Sequence, residues 1–160
     1  MEERQPESAA SGIRRPEWDA TQARILDAAD ALLQRRGVHG VTIAEIARRS
    51  ALSRPTIYRS WADADDVVRS ALLRRVAGIL DAVPAPVPTR AALVDTVLSF
   101  IAQFRSDAVY ARLLADEPEA FTRYTLQRVG QSQRMILRWL SAAIAAAQDE
   151  GGIRAGTPDE

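Results

Sequence analysis

The chain has 160 residues, 47% hydrophobic and 26% charged, a balance that suits one globular core, or a small domain of about 50 residues joined to one of about 100, and excludes a disordered or fibrous protein. It contains no cysteine and one histidine, His39, which excludes a disulfide framework, a thiolate metal site and a cysteine nucleophile, and leaves no histidine set for zinc. Formal net charge is zero, but residues 20–61 carry seven arginines against three acids, a +4 block between two blocks of −2.

In chain order, Met1 to Trp18 shows no apolar period and reads as a flexible arm. Asp19 with Gln22 forms a capping-box pattern, and Ile25, Leu26, Ala29, Leu32 and Leu33 recur at helical spacing up to Gly37, predicting a first helix over about 20–36. Thr42 with Glu45 is a second such box, opening a short helix over about 43–49 with Ile43, Ile46 and Ala47 inward. After a turn at Ser50-Ala51-Leu52, Ser53 caps a third helix, Arg54 to Trp61, with Pro55 tolerated in its first turn. Asp63, Asp65 and Asp66 crowd the start of a fourth, where carboxylates suit the positive end of the helix dipole; it is expected to run to about Asp81. The prolines of Val83 to Pro88 then favour an extended spacer. Thr89 caps a fifth helix carrying Leu93, Val94, Val97, Leu98, Ile101 and Phe104. A short sixth follows near 109–114, and Pro118 begins a long seventh lasting to about Gln148, ended by Gly151-Gly152. That last helix shows two apolar stripes, Val129, Ile136, Leu140, Ile144 and Met135, Trp139, Ala142, Ala146, and should be covered on more than one side. No segment alternates as a strand. The fold expected is all-α. No apolar run approaches the roughly 20 residues of a membrane span and the N-terminus is acidic and polar, so a cytoplasmic protein with no membrane contact is expected.

Two short helices joined by a four-residue turn, inside the one basic block, describe a helix-turn-helix. Ala47 is small enough to let the pair pack closely, and Leu52, Ile57 and Trp61 would lock it onto the first helix. Outward on the second helix stand Arg54, Pro55, Thr56, Tyr58, Arg59 and Ser60, near a helix N-terminus able to approach phosphate. The competing explanation is the arginine-rich solvated face of any small helical bundle.

Ile25-Leu26-Asp27-Ala28-Ala29, Gly37, Val41-Thr42-Ile43-Ala44-Glu45-Ile46-Ala47 and Leu52-Ser53-Arg54-Pro55-Thr56-Ile57-Tyr58-Arg59 together resemble the TetR family of bacterial transcriptional regulators. The resemblance continues more weakly to Gly152-Ile153-Arg154. It implies a homodimeric repressor that releases double-stranded operator DNA when a small-molecule effector enters the C-terminal part. The implied organisation is an arm (1–18), a three-helix helix-turn-helix DNA-binding domain (19–62), and a helical ligand-binding and dimerisation domain (63–160) joined to it by the fourth helix. Carried onto this chain, the family pattern places Arg54, Pro55 and Thr56 at base edges, Tyr58 and Ser60 on phosphates, Thr42 at the capped start of the second helix, and Arg59 in either role. An arginine can donate two hydrogen bonds to guanine O6 and N7, and proline or a threonine methyl can touch a thymine methyl, so the chemistry agrees. Three positions depart from the pattern: Ala51 replaces the usual turn glycine, Trp61 the usual phenylalanine, and Ala64 a lysine that generally follows the third helix.

Phe100, Phe104, Tyr110, Phe121, Tyr124, Met135 and Trp139 are the side chains from which an effector cavity could be lined, or else are core. Arg128 and Arg138 are weaker candidates as anchors for an anionic ligand. His39 reads as a surface turn residue, and Asp116, Glu117 and Glu119 as the acids of a helix start around Pro118. No phosphate loop, nucleophile elbow or metal-spaced ligand set occurs, so no catalytic residue, metal or cofactor is expected. Family members usually continue for two more helices that form the dimer's four-helix bundle, whereas this sequence stops at Glu160. A shortened C-terminal domain is therefore expected, with weak self-association through the 119–148 helix. The alternative class is a helical protein-interaction or ligand-binding module that has lost operator binding.

Overall fold

The computed structural model describes residues 16–83, 89–125, 130–149, 151, 153 and 154. Among them are eight α-helices and no strand. The first is α1, Ala20–Arg36, and it shows both halves of the capping box: Gln22 N–H donates to Asp19 Oδ1 at 2.8 Å, and Asp19 N–H to Gln22 Oε1 at 3.0 Å. It stops at Gly37, whose φ of +69° and ψ of −169° lie where side chains are essentially not tolerated. A 3-10 turn, Val38–Gly40, leads to α2, Ile43–Ser50, and then α3, Arg54–Tyr58. The long α4, Ala64–Ala82, is capped by Asp63 and followed by α5, Arg90–Ser106, capped by Thr89. Asp107 ends α5 and caps α6, Ala108–Asp116, accepting from the N–H groups of both Val109 and Tyr110. The last two are α7, Pro118–Thr125, and α8, Gln131–Asp149.

One continuous core runs from α1 to α8. Ile25, Leu26, Ala29 and Leu33 of α1 meet Val67, Val68, Leu72 and Val76 of α4, with Ile46 of α2 and Ile57 of α3 closing the bottom. On the other side α4 packs against α8 and α5, and Tyr110 and Leu113 of α6 fill the space between. The α4 helix is therefore apolar around much of its girth, since it serves two sets of neighbours.

Three expectations need correction. The third helix ends at Tyr58 and not at Trp61: the chain continues as a tighter turn in which Ser60 N–H and Trp61 N–H both donate to Ile57 O, at 3.0 and 3.1 Å. A 3-10-type bond of this kind is the usual way a short helix unwinds. The capping box at α2 is half formed, because Thr42 accepts from Glu45 N–H at 3.2 Å while the Glu45 carboxylate turns to Arg48 and Arg36. A charge-assisted partner outcompetes a backbone N–H. Finally, the single helix expected from Pro118 to about 148 is two, α7 and α8. Gly130 is not helical and acts as the cap of α8: its N–H donates to Gln133 Oε1 at 3.2 Å and its carbonyl accepts from Arg134 N–H at 3.1 Å. Glycine is the ordinary residue least favourable inside a helix apart from proline, which suits Gly130 to a position outside α8. Arg128, Val129, Gly152, residues 84–88 and most of the arm lie outside the described residues.

Candidate nucleic-acid interface

The α2–α3 unit is built from local rules. Thr42 caps α2. Ala51 closes it in the left-handed region (φ +53°, ψ +38°), and Leu52 N–H returns to Ala47 O at 3.2 Å, the bond pattern that ends many helices. Ser53 then caps α3, its Oγ accepting from Thr56 N–H at 3.2 Å and lying 2.7 Å from Thr56 Oγ1. Arg24 of α1 braces the joint by donating to Ser50 O at 2.7 Å.

Behind α3, Ile57 is fully buried and Trp61 nearly so. Trp61 Nε1 donates to Ser70 Oγ of α4 at 2.8 Å, and its ring stacks on Trp18 with centroids 6.2 Å apart. The replacement of the family's phenylalanine by tryptophan thus brings a polar tip, and the tip has a partner.

In front, Arg54, Pro55, Tyr58, Arg59 and Ser60 are exposed, Tyr58 at 53%. Among the described residues neither Arg54 nor Arg59 has a hydrogen-bond or ion-pair partner, and both are exposed. Thr56 is half-buried, its hydroxyl engaged with Ser53. Ser60 Oγ accepts from Gln22 Nε2 at 3.4 Å, which leaves its own O–H able to donate. Thr42 is exposed one helix away. Of the neighbouring cations, Arg48 is tied to Glu45, whose carboxyl it holds below the usual carboxylate value, with Arg36 adding a smaller effect. Arg49 is exposed and unpaired among the described residues, a free cation beside the turn that the outward-facing pattern of α3 could not reveal.

Of the seven aromatic and methionine candidates of the C-terminal part, Phe100, Phe104, Tyr110 and Trp139 form a packed ladder. Phe104 stacks on Tyr110 at 4.1 Å, Phe100 lies 5.9 Å from Phe104 and 5.4 Å from Trp139, and Met135 is buried. Tyr110 OH donates to Leu72 O at 2.9 Å, and burial pushes its pKa far up, so it stays a neutral donor. Phe121 and Tyr124 pack at the core's edge, Tyr124 OH donating to Asp65 Oδ1 at 2.7 Å. Burial first, and that bond second, raise the Tyr124 pKa. None of the seven lines the open groove of about 470 Å³ beside α4, which is walled by Asp30, Arg75, Gly78, Ile79, Gln103 and Asp107 among others. His39 is exposed in the 3-10 turn, and Arg138 is exposed on α8.

Pattern reading also missed the contacts that hold the α1–α3 unit to the rest. Arg75 of α4 donates through Nε and Nη2 to both oxygens of Asp30 in α1 (2.6–2.9 Å) and through Nη1 to Asp107. Burial works against the Arg75 charge, but the two carboxylates outweigh it and keep its pKa above the ordinary value. Glu117, expected only to favour a helix dipole, instead reaches back to accept from Val38 N–H at 3.1 Å.

Comparison with known proteins agrees with this geometry. Residues 25–71 match the family model described as "Bacterial regulatory proteins, tetR family". Over 136 residues, 85% of this chain, the sequence is 36% identical to an uncharacterized HTH-type transcriptional regulator of Mycobacterium bovis and equally to one of Mycobacterium tuberculosis, covering 71% of each. The fold is similar to that of the fatty acid degradation regulator FadR from Bacillus halodurans, with a TM-score of 0.60 at 17% identity over 86% of this chain and 73% of that one. No helix among the described residues is long and apolar enough to cross a membrane. The chain belongs to the TetR family of bacterial regulatory proteins and is a helix-turn-helix transcriptional regulator, not an enzyme.

Proposed function

We propose that the protein is a cytoplasmic repressor that reads operator DNA as a homodimer and lets go when a small apolar effector binds its C-terminal helices, with residues 19–62 as the reading unit and 63–160 as the responding one. The observation that carries the DNA contact is Arg54: an exposed arginine, unpaired among the described residues, in the first turn of α3, inside the +4 block. Arg54, Pro55 and Thr56 address base edges. Tyr58 and Ser60, each with a hydroxyl hydrogen to give, address phosphates, and Thr42 meets the DNA from the capped start of α2. Arg59 is placed to do either. Ala64, where a lysine is usual, offers no phosphate contact, which lowers affinity without altering sequence preference.

A gel shift with DNA from upstream of the protein's own gene tests the reading directly. A specific complex is expected at low salt, and its absence with folded protein would favour the interaction-module class. On a panel of single-base operator changes, Arg54→Ala should lose about 1–3 kcal/mol and relax preference at one base pair, whereas Tyr58→Phe should weaken all sequences alike. Uniform loss in Arg54→Ala would sink the assignment.

The dimer is favoured by arithmetic: one helix-turn-helix makes few base contacts, and paired units read half-sites roughly 34–36 Å apart. Leu137 of α8 is 56% exposed and offers apolar surface to a partner. The effector reading rests on the apolar character of Phe100, Phe104, Tyr110, Phe121, Tyr124, Met135 and Trp139, whose surroundings would suit an apolar ligand better than a charged one. A thermal-shift screen that found only highly charged metabolites would contradict it.

A further inference from the structure

We propose that Glu117 is a positioning residue for operator binding: from the α6–α7 junction it holds the α1–α2 turn, and through that turn the DNA-facing start of α2. The inference rests on the operator reading above, since Thr42 matters only if α2 faces DNA. Glu117 is 79 residues from Val38 in sequence, yet its Oε2 accepts the Val38 N–H at 3.1 Å. Its side chain is 11% exposed. It occupies the place that Gly37 leaves open: a Cβ on Gly37 would lie 1.8 Å from Glu117 Oε1. Arg112 of α6 keeps the carboxylate company, with Nε 3.7 Å from Oε1, while its Nη1 donates to Gln34 O of α1 at 3.5 Å. The seat is thus made from both sides, by a residue without a side chain below and a cation beside.

The path onward is short. Gly40 N–H donates to Gly37 O at 3.3 Å and Val41 N–H to Val38 O at 3.0 Å, with Val38 and Val41 buried. The next residue is Thr42, the cap of α2. Three residues therefore separate the amide that Glu117 holds from Thr42, the first of the proposed DNA contacts. Displacement of the α6–α7 junction reaches the reading unit here without passing along α4.

The test measures hydrogen exchange at the Val38–Thr42 amides by NMR and, in parallel, operator affinity. Glu117→Ala should speed exchange at these amides roughly tenfold and weaken operator binding roughly five- to tenfold, as loss of a hydrogen bond to a charged group would. Glu117→Gln, which keeps an acceptor oxygen, should recover most of both. Asp116→Ala, at the exposed neighbouring carboxylate, should change neither. Should Glu117→Ala not fold, Glu117→Asp carries the test, because it keeps a charge for Arg112 but is one methylene too short for Val38. Unchanged exchange overturns the proposal, as does faster exchange with unaltered operator affinity. If Arg54→Ala weakens binding and Glu117→Ala does not, the positioning role alone falls; if neither does, the operator reading falls and takes the role with it.

Discussion

Ala51 is the one non-glycine residue with positive φ among those described, and its cost can be weighed. An L-residue in the left-handed region loses roughly 1–2 kcal/mol. Glycine would relieve that, but would give back about 0.4–1 kcal/mol through a more flexible unfolded chain. Strain wins. Ala51→Gly is expected to stabilise the protein by about 0.5–1 kcal/mol, raising the midpoint of a thermal melt by about 1–4 °C at this chain length. A melt followed by circular dichroism checks it, and an unchanged or lower midpoint would show that the turn is not strained. Tyr110 sets the opposite case. Its hydroxyl is wholly buried and donates to Leu72 O, so Tyr110→Phe should cost about 1 kcal/mol and not more, because deleting the donor leaves a carbonyl within α4 and no buried charge. A loss above roughly 3 kcal/mol in urea titration would show that the hydroxyl does more than this one bond.

Among the helices, the starts marked by a side-chain cap were the legible ends, and glycine marked the close of α1. Asp19, Gln22 and Gly37 marked both ends of α1, and Thr42, Ser53 and Thr89 each capped the helix expected of them, while Asp63, expected only among the acids at the start of α4, is its cap. Signals failed where two local preferences competed. Glu45 could serve the Thr42 backbone or Arg48, and the sequence does not rank the two. Gly130 stood inside a long apolar period that hid the break. The start of α4 allows a test of capping under acid. Asp63 accepts from Asp66 N–H at 2.8 Å, and Asp66 accepts from Ala62 N–H at 3.2 Å and pairs with Arg69. The Arg69 hydrogen bond, mainly, holds the Asp66 carboxyl below its ordinary value. A carboxyl with a depressed folded pKa contributes its stability above the unfolded pKa, about 3.9. That stability is lost as pH falls through the lower folded value. The group is well solvated, so the amount is about a few tenths of a kcal/mol. Asp66→Asn should be slightly less stable at pH 7 and should show a flatter acid limb below about pH 4. Parallel acid limbs in paired melts would remove Asp66 from the account.

At the scale of the whole molecule, the reading surface was legible because its chemistry is local, whereas the fastenings behind it were not. Asp30 and Arg75 are 45 residues apart, Tyr124 and Asp65 59, Glu117 and Val38 79. The charged members of these pairs look, in sequence, like any solvated charge or helix-end acid, and no period links them to their partners. Yet the first and third join the α1–α3 unit to the remaining helices and the second ties α7 to the start of α4, over a core that continues from Ile25 to Met135. Such continuity predicts that the helices unfold together. In a Trp139→Phe variant, fluorescence reports only Trp18 and Trp61, beside α3, while circular dichroism reports every helix; the two melts should coincide. Arg75→Met then probes the joint, since it leaves the carboxylates of Asp30 and Asp107 facing each other without their shared cation. Loss of one partner from a fully buried pair costs roughly 3–5 kcal/mol. Here the three side chains are 13–23% exposed, so about 2–3 kcal/mol is expected, felt equally by both probes. Two separated wild-type transitions, or an Arg75→Met variant that melts like wild type, would mean that the reading unit stands apart from the helices meant to control it.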